Sequence, residues 1–559
     1  MNKKHLTLLA LGCLMTSGTV MAAPAGTNSP DLNAGVQMNR MNEYLERERV
    51  AKEIHEEREK SAAQVEQKGD TKPSENMITF QLDRLEVDES KVLKADEVKA
   101  ITSKYEGREV QLQDVYDAVA EINQLYEKKG YMTCRAYLKP QKIENATVRI
   151  SLFESKTGKA VVTGNKHTKD SYILDRLPLK SGEILSLDKL NEDILHFNGT
   201  NDVQLRVVLK AGEQEGTTDY YIEAREPKNS NWTLFSDNTG SKTTGEYRYG
   251  LFYNVKSLTG IRDSLMLGSV FSDGTWAFSG MYSRPVGHSG TKLNLSYSGN
   301  SIEQVKNTSI SKVKGNASSY GIGLVQPWIV KDNYRSEWSL DYSHQKSQSD
   351  LDFYSMKFNV VDDTMDDLSL GLAMTSYGRD YILYQKHSVV LGRSSSEPEL
   401  FQASSMNYSF YKFSGMYQKL HAKGRQLSLR LDGQLSGTQN LLSARQYYIG
   451  GMYSVRGYQE SFMGADSGVT LSAEYSVPLT SDNKVSGFTF LDFGYVFGEG
   501  AESNNVDNML YSTGLGVRAA IGKNINGVVS LGVPLKRSFA SKADKVDAVR
   551  LNFMLTAQF

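Results

Sequence analysis

Gly450-Gly451-Met452-Tyr453-Ser454-Val455-Arg456-Gly457-Tyr458 sets a single arginine in a glycine-rich stretch between two segments that alternate apolar and polar residues. About 30 residues on, Phe488-Thr489-Phe490-Leu491-Asp492-Phe493-Gly494 carries a single carboxylate in an otherwise apolar strand pattern. Successive strand residues point to opposite faces, so Phe488, Phe490, Asp492 and Gly494 share one face and Leu491, Phe493 and Tyr495 the other. In a membrane barrel a charge facing lipid near the midplane costs up to about 2–4 kcal/mol for Arg or Lys and less for Asp. Asp492 then points into the lumen and takes Phe488 and Phe490 with it. Gly494 leaves room for close approach of another chain, and the glycines around Arg456 permit tight packing.

Working outward, the texture from about 231 to the end is uniform. Leu293, Leu295 and Tyr297 alternate with Asn294, Ser296 and Ser298; Val469, Leu471, Ala473 and Tyr475 alternate with Thr470, Ser472 and Glu474. About sixteen such segments lie near 232, 246, 263, 275, 291, 317, 334, 366, 381, 404, 425, 468, 486, 510, 525 and 547. An even number of antiparallel, roughly ten-residue alternating segments separated by turn residues predicts a transmembrane β-barrel over 229–559. A water-soluble sandwich would have shorter strands and more proline than the 11 in this chain. The negative mean hydropathy does not oppose a barrel, because only every second residue of a strand faces lipid. Val549, Leu551, Phe553, Leu555, Ala557 and Phe559 end the chain in one outward phase.

The first 22 residues read as an export signal: Lys3, Lys4 and His5, an apolar run, then Val20-Met21-Ala22 with cleavage after Ala22. That leaves Cys134 as the lone cysteine, so neither an intrachain disulfide nor a cysteine-based metal cluster is expected. Residues 35–66 are rich in helix formers, with Glu43/Arg47, Glu48/Lys52 and Glu56/Lys60 at helical spacing and a thin apolar stripe of Met38, Met41 and Leu45. Such a helix is either a solvated arm or a plug in a water-filled channel. At about 1.5 Å per residue it is long enough to cross an outer membrane. A linker at 67–75 follows. Residues 76–155 predict a β-α-α-β-β unit, with Gly130 closing its longer helix. Residues 156–228 repeat the order.

Export signal, polar helix, two β-α-α-β-β units, sixteen-strand array, Val455-Arg456-Gly457-Tyr458 and Phe490-Leu491-Asp492-Phe493-Gly494 together resemble the two-partner secretion transporters. These are outer-membrane barrels with periplasmic POTRA domains that export haemolysins and filamentous adhesins. The resemblance covers essentially the whole mature chain. Two units and one helix fit secretion better than insertion of barrel proteins, the alternative function within this superfamily. The resemblance implies that the loop at about 440–466 folds into the barrel and that Arg456 reaches Asp492, with Val455, Gly457, Tyr458, Phe490 and Gly494 around the pair. It implies a β-helical exoprotein partner held by its amino-terminal secretion domain, and Phe559 as the signal read by the barrel assembly machinery. The further expectations are contact with outer-membrane lipid, a monomer and no cofactor.

The remaining function classes find little support. Charges nearly cancel, at 64 basic and 65 acidic residues, so no bulk field draws the chain to nucleic acid. There is no Gly-x4-Gly-Lys-Ser/Thr, no His-Glu-x-x-His and no Gly-x-Ser-x-Gly, so no local motif predicts an enzyme.

Overall fold

The structure is a computed structural model that describes residues 30–59, 79–305, 311–353, 356–399, 401–501, 505–539 and 546–559. Ala22 and the signal segment, residues 60–66 of the expected helix, and the linker at 67–75 lie outside the described residues. The chain divides into two compact units.

The larger unit holds a closed antiparallel barrel of sixteen strands, as the alternation predicts. It runs from strand 1 (Ser230–Asp237) to strand 16 (Arg550–Gln558), each strand pairing with its neighbours in chain order. The physical basis is visible residue by residue. Leu491, Leu515, Leu531 and Leu551 stand exposed on the outer wall, while Asp492, Ser512, Ser530 and Asn552 are buried within. Strand 13 (Val485–Phe497) departs from this rule, since Phe488 and Phe490 also point inward and are buried. They lie against Gly516 and Gly514 of strand 14 (Met509–Ile521), where a Cβ would collide with their rings.

Strands 6 (Ser311–Lys331), 7 (Tyr334–Phe353) and 8 (Met356–Tyr377) have 21, 20 and 22 residues. About 9–11 suffice to cross a bilayer, so this wall extends beyond the hydrocarbon on the long-loop side. Strands 1 and 16 close the barrel with its shortest ladder, Thr233–Asp237 against 554–558. Phe559 prolongs that seam by exchanging backbone hydrogen bonds with Trp232, at 2.9 and 3.1 Å, and its ring is exposed.

The smaller unit contains the two POTRA-like repeats. In the first, helices α2 (Ala95–Thr102) and α3 (Leu112–Lys128) cover a sheet ordered Arg84–Val87, Thr147–Glu154, Cys134–Leu138. Val115, Ala118, Ile122 and Tyr126 of α3 pack on Leu85, Val148 and Ile150. The expected first strand is divided at Asp83: Thr79–Leu82 pairs with an extra strand, Arg108–Gln111, and Arg84–Val87 joins the main sheet in parallel. Gly130 ends α3 at φ 78°, with its amide on Glu127 O and that of Tyr131 on Tyr126 O. This is the left-handed closure that glycine accepts without a Cβ penalty. Cys134 is buried, and burial pushes its thiol up to about 11. The second repeat sets α4 (Asp170–Leu174) and α5 (Leu187–Thr200) on a sheet ordered Lys156–Thr163, Thr217–Arg225, Gln204–Ala211.

Candidate functional site

Between strand 11 (Gln426–Ser436) and strand 12 (Ser467–Pro478) the chain turns back into the barrel. A short hairpin, Tyr447–Ile449 with Met463–Ala465, carries the loop down. Its apolar residues Ile449, Val455 and Tyr458 are buried with Val496, Leu510 and Phe539. The Tyr458 hydroxyl donates to Lys536 O at 2.8 Å, fixing the ring on Phe462 and Phe539. Two glycines make this seating possible. Gly457 has φ 102° and lies so close to the wall that a Cβ would sit 3.0 Å from Pro534 N. A Cβ on Gly494 would meet Val455 Cγ2 at 2.8 Å.

The loop carries Arg456 onto strand 13. Arg456 Nε and Nη2 donate to the two oxygens of Asp492, each at 2.8 Å, and the Arg456 amide donates to Asp492 Oδ2 at 3.0 Å. Asp492 is only 3% exposed. This parallel pairing uses the fixed fork of the guanidinium, which an ammonium could not reproduce. The guanidinium also lies 3.6 Å over the centroid of the Phe490 ring, whose negative face attracts it. The inward turn of Phe490 thus supplies a platform for the cation.

Three further residues complete the site. Arg456 Nη1 reaches Glu474 at 2.8 Å and Nη2 donates to Ser472 Oγ at 3.0 Å. Arg518 ion-pairs with the other oxygen of Glu474 at 2.5 Å and sits 4.1 Å over Phe488. The register explains the convergence: Ser472 is directly opposite Asp492, and Glu474 opposite Phe490. The sequence reading missed Glu474, Ser472 and Arg518 as site members. Their signal was present, since Ser472 and Glu474 lie in the polar phase of strand 12. It takes the strand register to place them beside Arg456.

Helix α1 (Ala34–Glu59) lies inside the same barrel. Asn33 caps it, accepting from Val36 N at 3.1 Å. Its first turn is buried: Ala34 and Met38 pack on Ile302 and Ala317. Asn300 donates to Ala34 O at 2.9 Å, and Gly35 N donates to Ser347 Oγ at 3.0 Å. Farther along, Arg40 pairs with Glu460 of the loop at 3.2 Å, and Glu46 with Lys386 of the wall at 2.9 Å. A cavity of about 540 Å³ remains beside the helix, lined in part by Glu43, Arg47 and Arg248. Composition left two readings of this helix open, a solvated arm or a plug; its described contacts are with barrel strands and the lumenal loop.

The family described as haemolysin secretion/activation protein ShlB/FhaC/HecB matches residues 216–519, and the ShlB-type POTRA domain matches residues 80–155. The heme/hemopexin transporter protein HuxB of Haemophilus influenzae is 24% identical over 475 residues, covering 80% of this chain and 82% of that protein. The outer membrane transporter CdiB of Dickeya dadantii (strain 3937) is 25% identical over 241 residues, 42% of this chain and 41% of that one. Among solved structures, CdiB from Acinetobacter baumannii is similar with a TM-score of 0.65 at 18% identity, covering 97% of this chain and all of that one. CdiB from Escherichia coli gives 0.63 at 16% identity with the same coverage. The barrel, the POTRA repeats and the family match over more than half of the sequence agree: this chain belongs to the two-partner secretion transporters, outer-membrane barrels with periplasmic POTRA domains that pass a partner exoprotein outward.

Proposed function

We propose that α1 is a resting plug and that the Arg456–Asp492 site is the lock that keeps the lumenal loop seated while the plug leaves. The observation that carries this reading is the contrast in fastening: the loop is held by a buried, bidentate ion pair, the start of the helix by neutral hydrogen bonds to its backbone. The POTRA repeats capture the amino-terminal secretion domain of a large β-helical exoprotein. Among the described residues their sheets end on outer strands paired on one side only, Cys134–Leu138 in the first and Gln204–Ala211 in the second, whose other edge an extended segment can join by backbone pairing. The exoprotein then crosses unfolded. No nucleotide-binding motif is present in the sequence, and folding outside the cell supplies the drive. The chain acts as a monomer and not as an enzyme. Phe559, at the seam, is the signal for barrel assembly, and Ala22 marks the signal cleavage.

The test is co-expression with a large exoprotein encoded beside this gene, with secretion into the medium as the readout. Wild type delivers the cargo and Arg456→Ala does not, although its barrel still inserts. Normal secretion by Arg456→Ala would remove the lock. Separately, deletion of 35–66 raises single-channel conductance in planar bilayers; unchanged conductance removes the plug.

A further inference from the structure

The lumenal loop carries a second buried arginine, outside the motif. Arg445 lies on the descending limb, eleven residues before Arg456. Its side chain is 7% exposed. Arg445 Nη2 pairs with Asp367 Oδ2 of strand 8 at 2.8 Å, Nη1 donates to Gln345 Oε1 of strand 7 at 2.8 Å, and Nε donates to Tyr408 Oη at 3.2 Å. The Tyr408 hydroxyl in turn donates to Asp367 Oδ1 at 2.5 Å. Gln434 holds the Arg445 carbonyl at 2.8 Å. The Arg456 site rests on strands 12, 13 and 14. The Arg445 side chain engages strands 7, 8 and 10 (Ser404–Leu420), and the two clusters share no residue.

The residues around Arg445 are those that seat α1. The carbonyl of Ala444 accepts from Asn39 Nδ2 at 2.6 Å. Gln345, oriented by Arg445, turns its amide nitrogen to Gly35 O at 3.5 Å. The fit is close: a Cβ on Gly35 would meet Gln345 Nε2 at 2.9 Å, Ser347 Oγ at 3.1 Å and Ala444 Cβ at 3.2 Å. Farther along, Arg40 pairs with Glu460 and Arg47 donates to Tyr453 O at 2.9 Å, both contacts with the lumenal loop, but the helix carboxylates are held to the wall more weakly. Glu43 and Glu46 reach Lys412 and Lys386 through side chains 59% and 38% exposed, where water competes for both charges.

We propose that Arg445, acting through Asp367 and Gln345, is the positioning residue that latches the long-loop end of α1, separately from the Arg456 lock. The helix then comes away from its solvated end first and leaves this seat last. Without Arg445, Asp367, largely shielded at 14% exposure, has no cation paired to it among the described residues, Gln345 loses the donor that orients it, and the seat for Gly35 opens. The Arg456 cluster keeps every one of its partners.

This inference rests on the plug reading, and the experiment separates the two. The full-length protein is studied in planar bilayers as wild type, with residues 35–59 deleted, and as Arg445→Ala, Asp367→Asn and Gly35→Val. Heat-modifiable gel mobility checks that each barrel is folded. In cells, Ala34→Cys and, separately, Val455→Cys are labelled from outside with a membrane-impermeant maleimide. Cys134 contributes no background, being buried with a thiol pushed up to about 11. Arg445→Ala and Asp367→Asn raise the open fraction and the labelling rate at Ala34→Cys at least ten-fold, and leave labelling at Val455→Cys unchanged. Gly35→Val opens the pore without touching the arginine, so the seat is tested even if Arg445→Ala fails to fold. A deletion that opens the pore while the three substitutions leave it closed overturns the latch. Equal gains in labelling at Ala34→Cys and Val455→Cys overturn it too, because they show general loosening of the loop. A deletion that leaves conductance unchanged removes the plug reading itself.

Discussion

Two walls of the barrel hold two different inserts, and they hold them by different chemistry. Strands 12–14 grip the lumenal loop through Asp492 and Phe490, buried against Arg456, and through Glu474, which also pairs with the more exposed Arg518 over Phe488. Strand 5 (Lys292–Glu303) and strand 7 hold the start of α1 with Asn300, Ser347 and Gln345, neutral groups that bond its backbone. A neutral hydrogen bond contributes about 0.5–1.5 kcal/mol net, because water replaces it when it breaks. Breaking a buried ion pair by removing one partner costs about 3–5 kcal/mol, since the remaining charge stays buried. The loop is therefore the more firmly fastened of the two inserts, which is the difference the proposed lock and plug require.

The largest way to break this contrast is Arg456→Ala. It strands Asp492 and is expected to lower barrel stability by about 3–5 kcal/mol, measured by denaturant unfolding in detergent, and to abolish secretion. A smaller change attacks the same wall by shape alone. Gly494→Val pushes a side chain into Val455 and is expected to cost about 1–3 kcal/mol as overpacking, with secretion reduced but the ion pair retained. On the helix wall, Asn300→Ala removes one neutral bond to Ala34 O. The expected loss is about 1 kcal/mol, read as a roughly five-fold rise in channel open fraction. Least of all, Lys386→Gln removes a half-exposed pair with Glu46. Its effect, about 0–1 kcal/mol, should fade as salt is raised in the bilayer chamber. An opening by Lys386→Gln larger than by Asn300→Ala would reverse the ranking and place the main hold on the helix in its exposed charges.

Much of this architecture is legible in the sequence because lipid and lumen report on alternate residues. Leu491 and Phe493 mark the lipid face, so the inward orientation of Asp492 follows from a period of two and the cost of a charge in hydrocarbon. The first POTRA-like repeat was less completely legible. Its opening stretch reads as one strand, yet it changes partners at Asp83, and Arg108–Gln111 is too short to stand out between two helices. Arg445 gave no signal at all. An arginine in a polar loop reads as solvated, and nothing local shows that Asp367, 78 residues earlier, faces it across the lumen.

The sequence by itself determined the sixteen strands, their inward and outward faces, the two repeats and the identity of the motif residues. The strands, their faces and the repeats rest on periodicity within a few tens of residues; the motif residues rest on the resemblance to the two-partner secretion transporters. Only the tertiary structure decided that Glu474 and Arg518 extend the Arg456 site, that Arg445 joins strands 7, 8 and 10, and that the start of α1 lies among neutral side chains. Those partners come from distant strands, and they meet only after the register closes the barrel and the loop folds back into it.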